Sequence, residues 1–97
     1  MAKRKRDRTA MTTVYKFPFD LKDIVVLKMP AGSEVLHVDA QHGVPCLWAR
    51  VDSKAALEVR RFRVAGTGHP LKEDVGEHLG WLLMRGGSLV FHVFELP

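Results

Sequence analysis

The sequence predicts an all-β domain: a small antiparallel sandwich or partly open barrel of about seven short strands, with at most one short helical turn. Two observations carry this reading. From Thr12 onward the chain is a succession of short apolar or alternating runs, most of them closed by proline or glycine. The runs recur at intervals of roughly 8–12 residues, the spacing of small sheet proteins. The one stretch that reads as a helix, residues 71–80, carries Gly76 in its middle, which costs about 1 kcal/mol relative to alanine. A loop with at most one helical turn is expected there.

The elements follow in order. Thr12 to Phe17 alternates with period two, placing Tyr15 and Phe17 on one face, and Pro18 ends it. Ile24 to Met29 is rich in β-branched residues and stops at Pro30-Ala31-Gly32, where proline fixes φ and glycine permits a positive φ. Glu34 to Asp39 is expected to place Leu36 and Val38 on one face and Val35, His37 and Asp39 on the other. Gln41-His42-Gly43 then reads as a hairpin loop. Cys46 to Val51 returns as its partner, with Pro45 at a strand start or edge because proline lacks the amide donor.

Asp52 to Ala56 reads as a loop or single helical turn. Leu57 to Val64 is the clearest amphipathic strand, with Phe62 and Val64 facing one way and Arg61 and Arg63 the other. Gly66-Thr67-Gly68-His69-Pro70 ends it. Trp81 to Met84 and Leu89 to Phe94 form the last pair, joined at Gly86-Gly87. The final run is apolar on both faces apart from His92, which suits a strand covered on both sides.

The net charge of +4 belongs to the start of the chain. Five of the fifteen cations and one of the eleven anions lie in the first ten residues, leaving ten against ten. The expected organisation is therefore a disordered basic tail over residues 1–11 and one electrically neutral β domain over residues 12–97. Cys46 is the single cysteine, so an internal disulfide is excluded, and a buried thiol acting as a small hydrophobe is expected. No run approaches the roughly 18–20 apolar residues of a membrane span. The basic start also lacks a secretory apolar core, so cytoplasmic residence is expected.

Catalytic patterns are absent. His37, His42, His69, His78 and His92 show no metal-ligand spacing, so no metal and no cofactor are expected. Ser33, Ser53 and Ser88 sit beside turn signals and outside any nucleophile elbow. Glu73 and Asp74 lie in a polar loop, where they read as a solvated face.

The glycine-rich strand exit is more informative. Consecutive amides there can form an anion-binding nest, with Thr67 and His69 adding donors. Arg60, Arg61 and Arg63 precede it, and guanidinium forks suit a phosphate or carboxylate. Trp48 shares a strand face with Arg50 and offers a stacking platform. The expected ligand surface is thus Trp48, Arg61, Arg63, Thr67, Gly68, His69 and His92, provided they converge on one concave face. The same residues also have bland roles as core, cross-strand ion pairs and a tight turn.

Several strings together resemble a family of small proteins encoded by bacteriophages and prophages, without assigned activity. They are Val35-Leu36-His37-Val38, Pro45 to Ala49, Arg60 to Pro70 with its Arg-x-Phe-Arg-Val and Gly-Thr-Gly-His-Pro segments, Leu79-Gly80, and Gly87 to Glu95. The resemblance covers Val14 to Glu95. The family has threonine where this chain has Trp81, and its members start near the position of Met11. The resemblance implies a phage-derived accessory protein in a bacterial cytoplasm and transfers no catalytic residue.

Three functions are ranked. The first is a non-catalytic binder, possible in a counter-defence role, that captures a host protein or a small anionic, nucleotide-like signal. The second is a nucleic-acid accessory protein using Lys3, Arg4, Lys5 and Arg6. The third is a small hydrolase built on His69 and a neighbouring carboxylate. No membrane partner is expected, and exposed strand edges leave homo-oligomerisation open.

Overall fold

The computed structural model describes residues 10–97. The basic segment Lys3, Arg4, Lys5 and Arg6, and with it the nucleic-acid reading, lies outside the described residues. Among the described residues seven strands form: β1 (Thr12–Pro18), β2 (Ile24–Pro30), β3 (Glu34–Gln41), β4 (Val44–Asp52), β5 (Leu57–Gly66), β6 (His78–Met84) and β7 (Leu89–Glu95). The one helical turn among these residues, a 3-10 turn at Arg85–Gly87, sits in the β6–β7 connection. It is not in residues 52–56 or 71–80, where the sequence had left room for one. β6 starts at His78, three residues before the expected Trp81.

The strands pair into two antiparallel sheets, ordered β1-β4-β3 and β2-β5-β7-β6, and among the described residues no ladder closes them into a barrel. The β3–β4 hairpin turns through His42 and Gly43, with φ of 52° and 78°, while Gln41 pairs with Val44. Two positive φ values in a two-residue loop define a type I′ turn, whose twist matches that of the strands. Between β2 and β3, the Ser33 hydroxyl and amide both donate to the Pro30 carbonyl. Ser33 is buried as a turn residue.

The core takes Val38, Leu47, Ala49 and Val51 from the first sheet, and Val25, Met29, Phe62, Val64, Leu82 and Val93 from the second. Met29, Leu47, Phe62 and Leu82 are fully buried; each such side chain is worth about 1.5–3 kcal/mol of transfer free energy. Cys46 is buried and free.

The period-two expectation fails in β3. A bulge between Val35 and His37 lets Val35 pair with Ala49 and Val38 with Leu47. Val35 and Val38 therefore both pack on the core, and Leu36 is pushed out to 43% exposure. One extra residue reverses the alternation, which is what a bulge does to a strand.

The edge strands β3 and β6 lie alongside one another where the two sheets meet. Residues 33–35 share one depression with Glu77 and Leu79, and residues 36–39 share the next with residues 79–83, so the two edges run in the same sense. Gly80 makes the approach possible. Its φ is +153°, and a Cβ there would stand 3.3 Å from the Cβ of Val38.

Arg60 clamps the sheets at the start of this seam. Its Nε and Nη2 each donate to Glu95 at 2.7 Å, and its Nη1 donates to the Ser33 carbonyl. The hydrogen bonds it donates to Glu95 hold the guanidinium pKa above its usual value, against the opposing effect of burial. Arg60 is thereby committed to structure and is no free anion ligand.

At the far end, amides of Met11 and Lys54 donate to Asp52 and hold its carboxyl below the usual aspartate range. A depressed carboxylate pKa stabilises the fold above the unfolded value, near 4, and this contribution is lost as the pH falls through the folded value. In acid titrations followed by circular dichroism, Asp52→Asn is expected to flatten the loss of stability below about pH 4. An unchanged acid profile would contradict that assignment.

Candidate functional site

The expected ligand residues do not converge. Trp48 lies on the outer face of the three-stranded sheet, paired with Lys16 on one side and His37 on the other. Its indole is tilted against the His37 ring at 5.7 Å. Arg61, Arg63, Thr67, Gly68, His69 and His92 belong to the four-stranded sheet and its loop. Arg61 is exposed and donates to the Pro97 carbonyl.

Arg63 is on the outward side of β5, as the alternation requires, yet it is 7% exposed. The loops around Asp23 and residues 70–73 cover it. Nη1 donates to the Val64 carbonyl at 2.7 Å and reaches the Asp23 carbonyl at 3.4 Å, while Nη2 donates to that of Pro70 at 3.1 Å. Nε lies 2.7 Å from a Glu73 carboxylate oxygen, but off the N–H direction, so this contact is an ion pair without a directed hydrogen bond. The guanidinium is spent inside the protein. Its role as a ligand fork is corrected to that of a pin for the 67–73 loop.

The anion nest is corrected as well. Gly66 to His69 is a turn closed by the His69 amide on the Gly66 carbonyl, with Gly68 at φ +88°. The Thr67 amide donates to the Val90 carbonyl. Two of the three amides that a nest needs are therefore already used. The His69 ring packs on Gly66, where a Cβ would stand 3.0 Å from Nδ1. Thr67 and His69 line a depression of about 270 Å³ with Ser88 and Phe91, and neither arginine enters it.

What the structure does bring together is Thr67, His92 and His78, a residue outside the expected set. Thr67 Oγ1 is 3.1 Å from His92 Nε2, and His92 Nδ1 is 3.2 Å from His78 Nε2. All three lie on the outer side of the sheet, where Trp81 stands opposite His92.

A depression of about 340 Å³ lies along the β3–β6 seam. Val38 and Gly80 line it, with Leu36, Leu79, Trp81 and Leu83 supplying apolar walls and His37 and Asp39 the polar groups. The His37 ring is 3.6 Å from the Asp39 carboxylate. Trp81 is 57% exposed, and Leu36 and Leu83 are more than 40% exposed. An apolar depression with a few convergent polar groups is the usual form of a binding site. Sequence reasoning missed it because its two walls come from different sheets. The available signal was Trp81, a large aromatic facing away from the buried Leu82.

Among the described residues, no group of three or more histidine, cysteine, aspartate or glutamate side chains is placed to hold a metal ion. No helix among them is long and apolar enough to cross a membrane. A protein family described as a domain of unknown function, DUF7352, matches residues 11–97, and the chain belongs to it. No curated protein and no solved structure matches the chain.

Proposed function

We propose that this member of the DUF7352 family is a binding protein without catalysis of its own, seating apolar side chains of a partner polypeptide in the β3–β6 groove. One observation carries the reading: Trp81, Leu83 and Leu36 remain exposed around an apolar depression. Contiguous exposed apolar surface on a small domain marks an interaction site, and tryptophan is the residue most enriched among interface hot spots.

A polypeptide fits better than a nucleotide-like signal. Arg50 pairs with Glu34, Arg60 with Glu95 and Arg63 with Glu73, so these guanidinium groups are already neutralised. The groove itself contributes the carboxylate of Asp39 and no Lys or Arg. The catalytic alternative has little support, since among the described residues no carboxylate bonds to His69. The resemblance to phage and prophage proteins supports an accessory role in a bacterial cytoplasm, with a host protein as the partner captured.

The test is a peptide-display selection against the folded chain, followed by affinity measurement. Selected peptides are expected to share an aromatic or branched aliphatic residue. Trp81→Ala should weaken them about tenfold or more, the scale of a hot-spot truncation. Affinity unchanged by Trp81→Ala, or stabilisation by nucleotides alone, would overturn the reading.

A further inference from the structure

Thr67, His92 and His78 form one continuous chain of contacts. Thr67 Oγ1 lies 3.1 Å from His92 Nε2 and 3.4 Å from the Val90 carbonyl, and His92 Nδ1 lies 3.2 Å from His78 Nε2. The inner contact joins two ring nitrogens, one of which carries the proton that the other accepts, and the Thr67 hydroxyl serves His92 Nε2 as either donor or acceptor.

A bulge builds this arrangement. In β6, Gly80 pairs with Val93, and the next partner of β7 residue Phe94 is His78, not Leu79. The skipped residue, Leu79, packs toward the core. His78 is thereby re-aimed to the outer face, diagonal to His92, with its ring edge-on to Phe94 at 5.1 Å. Bulges recur where a side chain must be redirected.

The geometry points to a two-histidine site for a borderline divalent ion of the zinc, copper and nickel class, bound through His78 Nε2 and His92 Nδ1. Two imidazole nitrogens at about 2.0–2.1 Å from an ion stand roughly 2.9 Å apart at a right angle and roughly 3.3 Å apart at the tetrahedral angle. The observed 3.2 Å lies within that window. The rings are tilted by 44°, with centroids 5.4 Å apart, so the two nitrogens now face each other as in a hydrogen bond. Rotation of the exposed His78 turns both lone pairs to one point.

Binding needs no net release of a proton. A neutral ring that ligates through one nitrogen carries its proton on the other, so bound His78 holds its proton at Nδ1 and bound His92 holds its proton at Nε2, where it donates to the Thr67 hydroxyl. Thr67 then has the role of an outer partner that fixes the tautomer and orientation of a ligating histidine. Imidazole pairs suit zinc, copper and nickel ions, and waters complete the coordination.

Titration calorimetry of the full chain with Zn(II) alone and Cu(II) alone, at neutral pH, tests this. One ion per chain is expected, with binding at least tenfold weaker in both His78→Ala and His92→Ala. Thr67→Val should weaken it about tenfold, the lower end of what loss of an outer-shell partner costs. His42→Asn, which removes an exposed imidazole from the β3–β4 turn and suits its positive φ, should leave it unchanged. Circular dichroism checks that each variant is folded. Binding that persists at parental strength in either His78→Ala or His92→Ala would overturn the proposal, as would no binding by the parent at millimolar ion. Neither outcome bears on the groove, since the ion site uses none of its lining residues.

Discussion

Replacing Arg63 by alanine is expected to destabilise the domain by about 3 kcal/mol. The change removes a buried cation and leaves the carbonyls of Val64 and Pro70 without their donors. Breaking a buried charge pair costs about 3–5 kcal/mol, and the lower end applies because Glu73 is 39% exposed. A chain of this size loses roughly 4–8 °C of melting temperature per kcal/mol, so the midpoint should fall by about 12–24 °C. Arg63→Met keeps most of the stem and should cost less. Glu73→Gln, on the solvated side of the pair, should cost about 1 kcal/mol or less. Thermal unfolding followed by circular dichroism decides it. An unchanged midpoint in Arg63→Ala would contradict the role of the guanidinium as a structural pin.

The second large effect belongs to Gly80. Gly80→Ala is expected to cost about 2 kcal/mol, part from a left-handed φ and part from contact with Val38. The two parts separate in a double-mutant cycle. Val38→Ala removes the opposing side chain, so the double variant should recover about 1 kcal/mol relative to additivity. The φ cost remains. Strict additivity would show that the two edges do not press on each other, and the seam as described would be wrong.

Much of the fold was legible because its turns are local. Pro18, Pro30-Ala31-Gly32 and His42-Gly43 end strands through φ preferences that a few residues encode. The two bulges were not legible, because an extra residue shows only against the partner strand. Missing them misplaced Leu36 and hid His78. The burial of Arg63 was invisible for a different reason. Period two assigns a side chain to a face, and it cannot say that a loop ten residues later folds over that face. Arg60 likewise looked like a free fork until Glu95, 35 residues on, was seen to take two of its hydrogen bonds.

The candidate site was the least legible part. Thr67, His69 and His92 were singled out from the sequence, and Thr67 does neighbour each of the other two, but two of the amides that were to form a nest are consumed by the turn. Trp48 was chosen as the aromatic platform, whereas Trp81 is the tryptophan on the groove. The two differ in exposure, which sheet packing decides and sequence alternation does not. Trp48 is half-buried between Lys16 and His37, while Trp81 stands at a sheet edge.

The account rests on the groove being where a partner is held. Amide-resolved NMR of the labelled chain, titrated with a selected peptide, tests that most directly. Shifts are expected to concentrate at residues 36–39 and 79–83 together with the Trp81 indole, while the Trp48 indole and the 66–69 turn stay in place. Shifts centred on Arg61 and the 66–69 turn, with residues 36–39 and 79–83 unmoved, would contradict it.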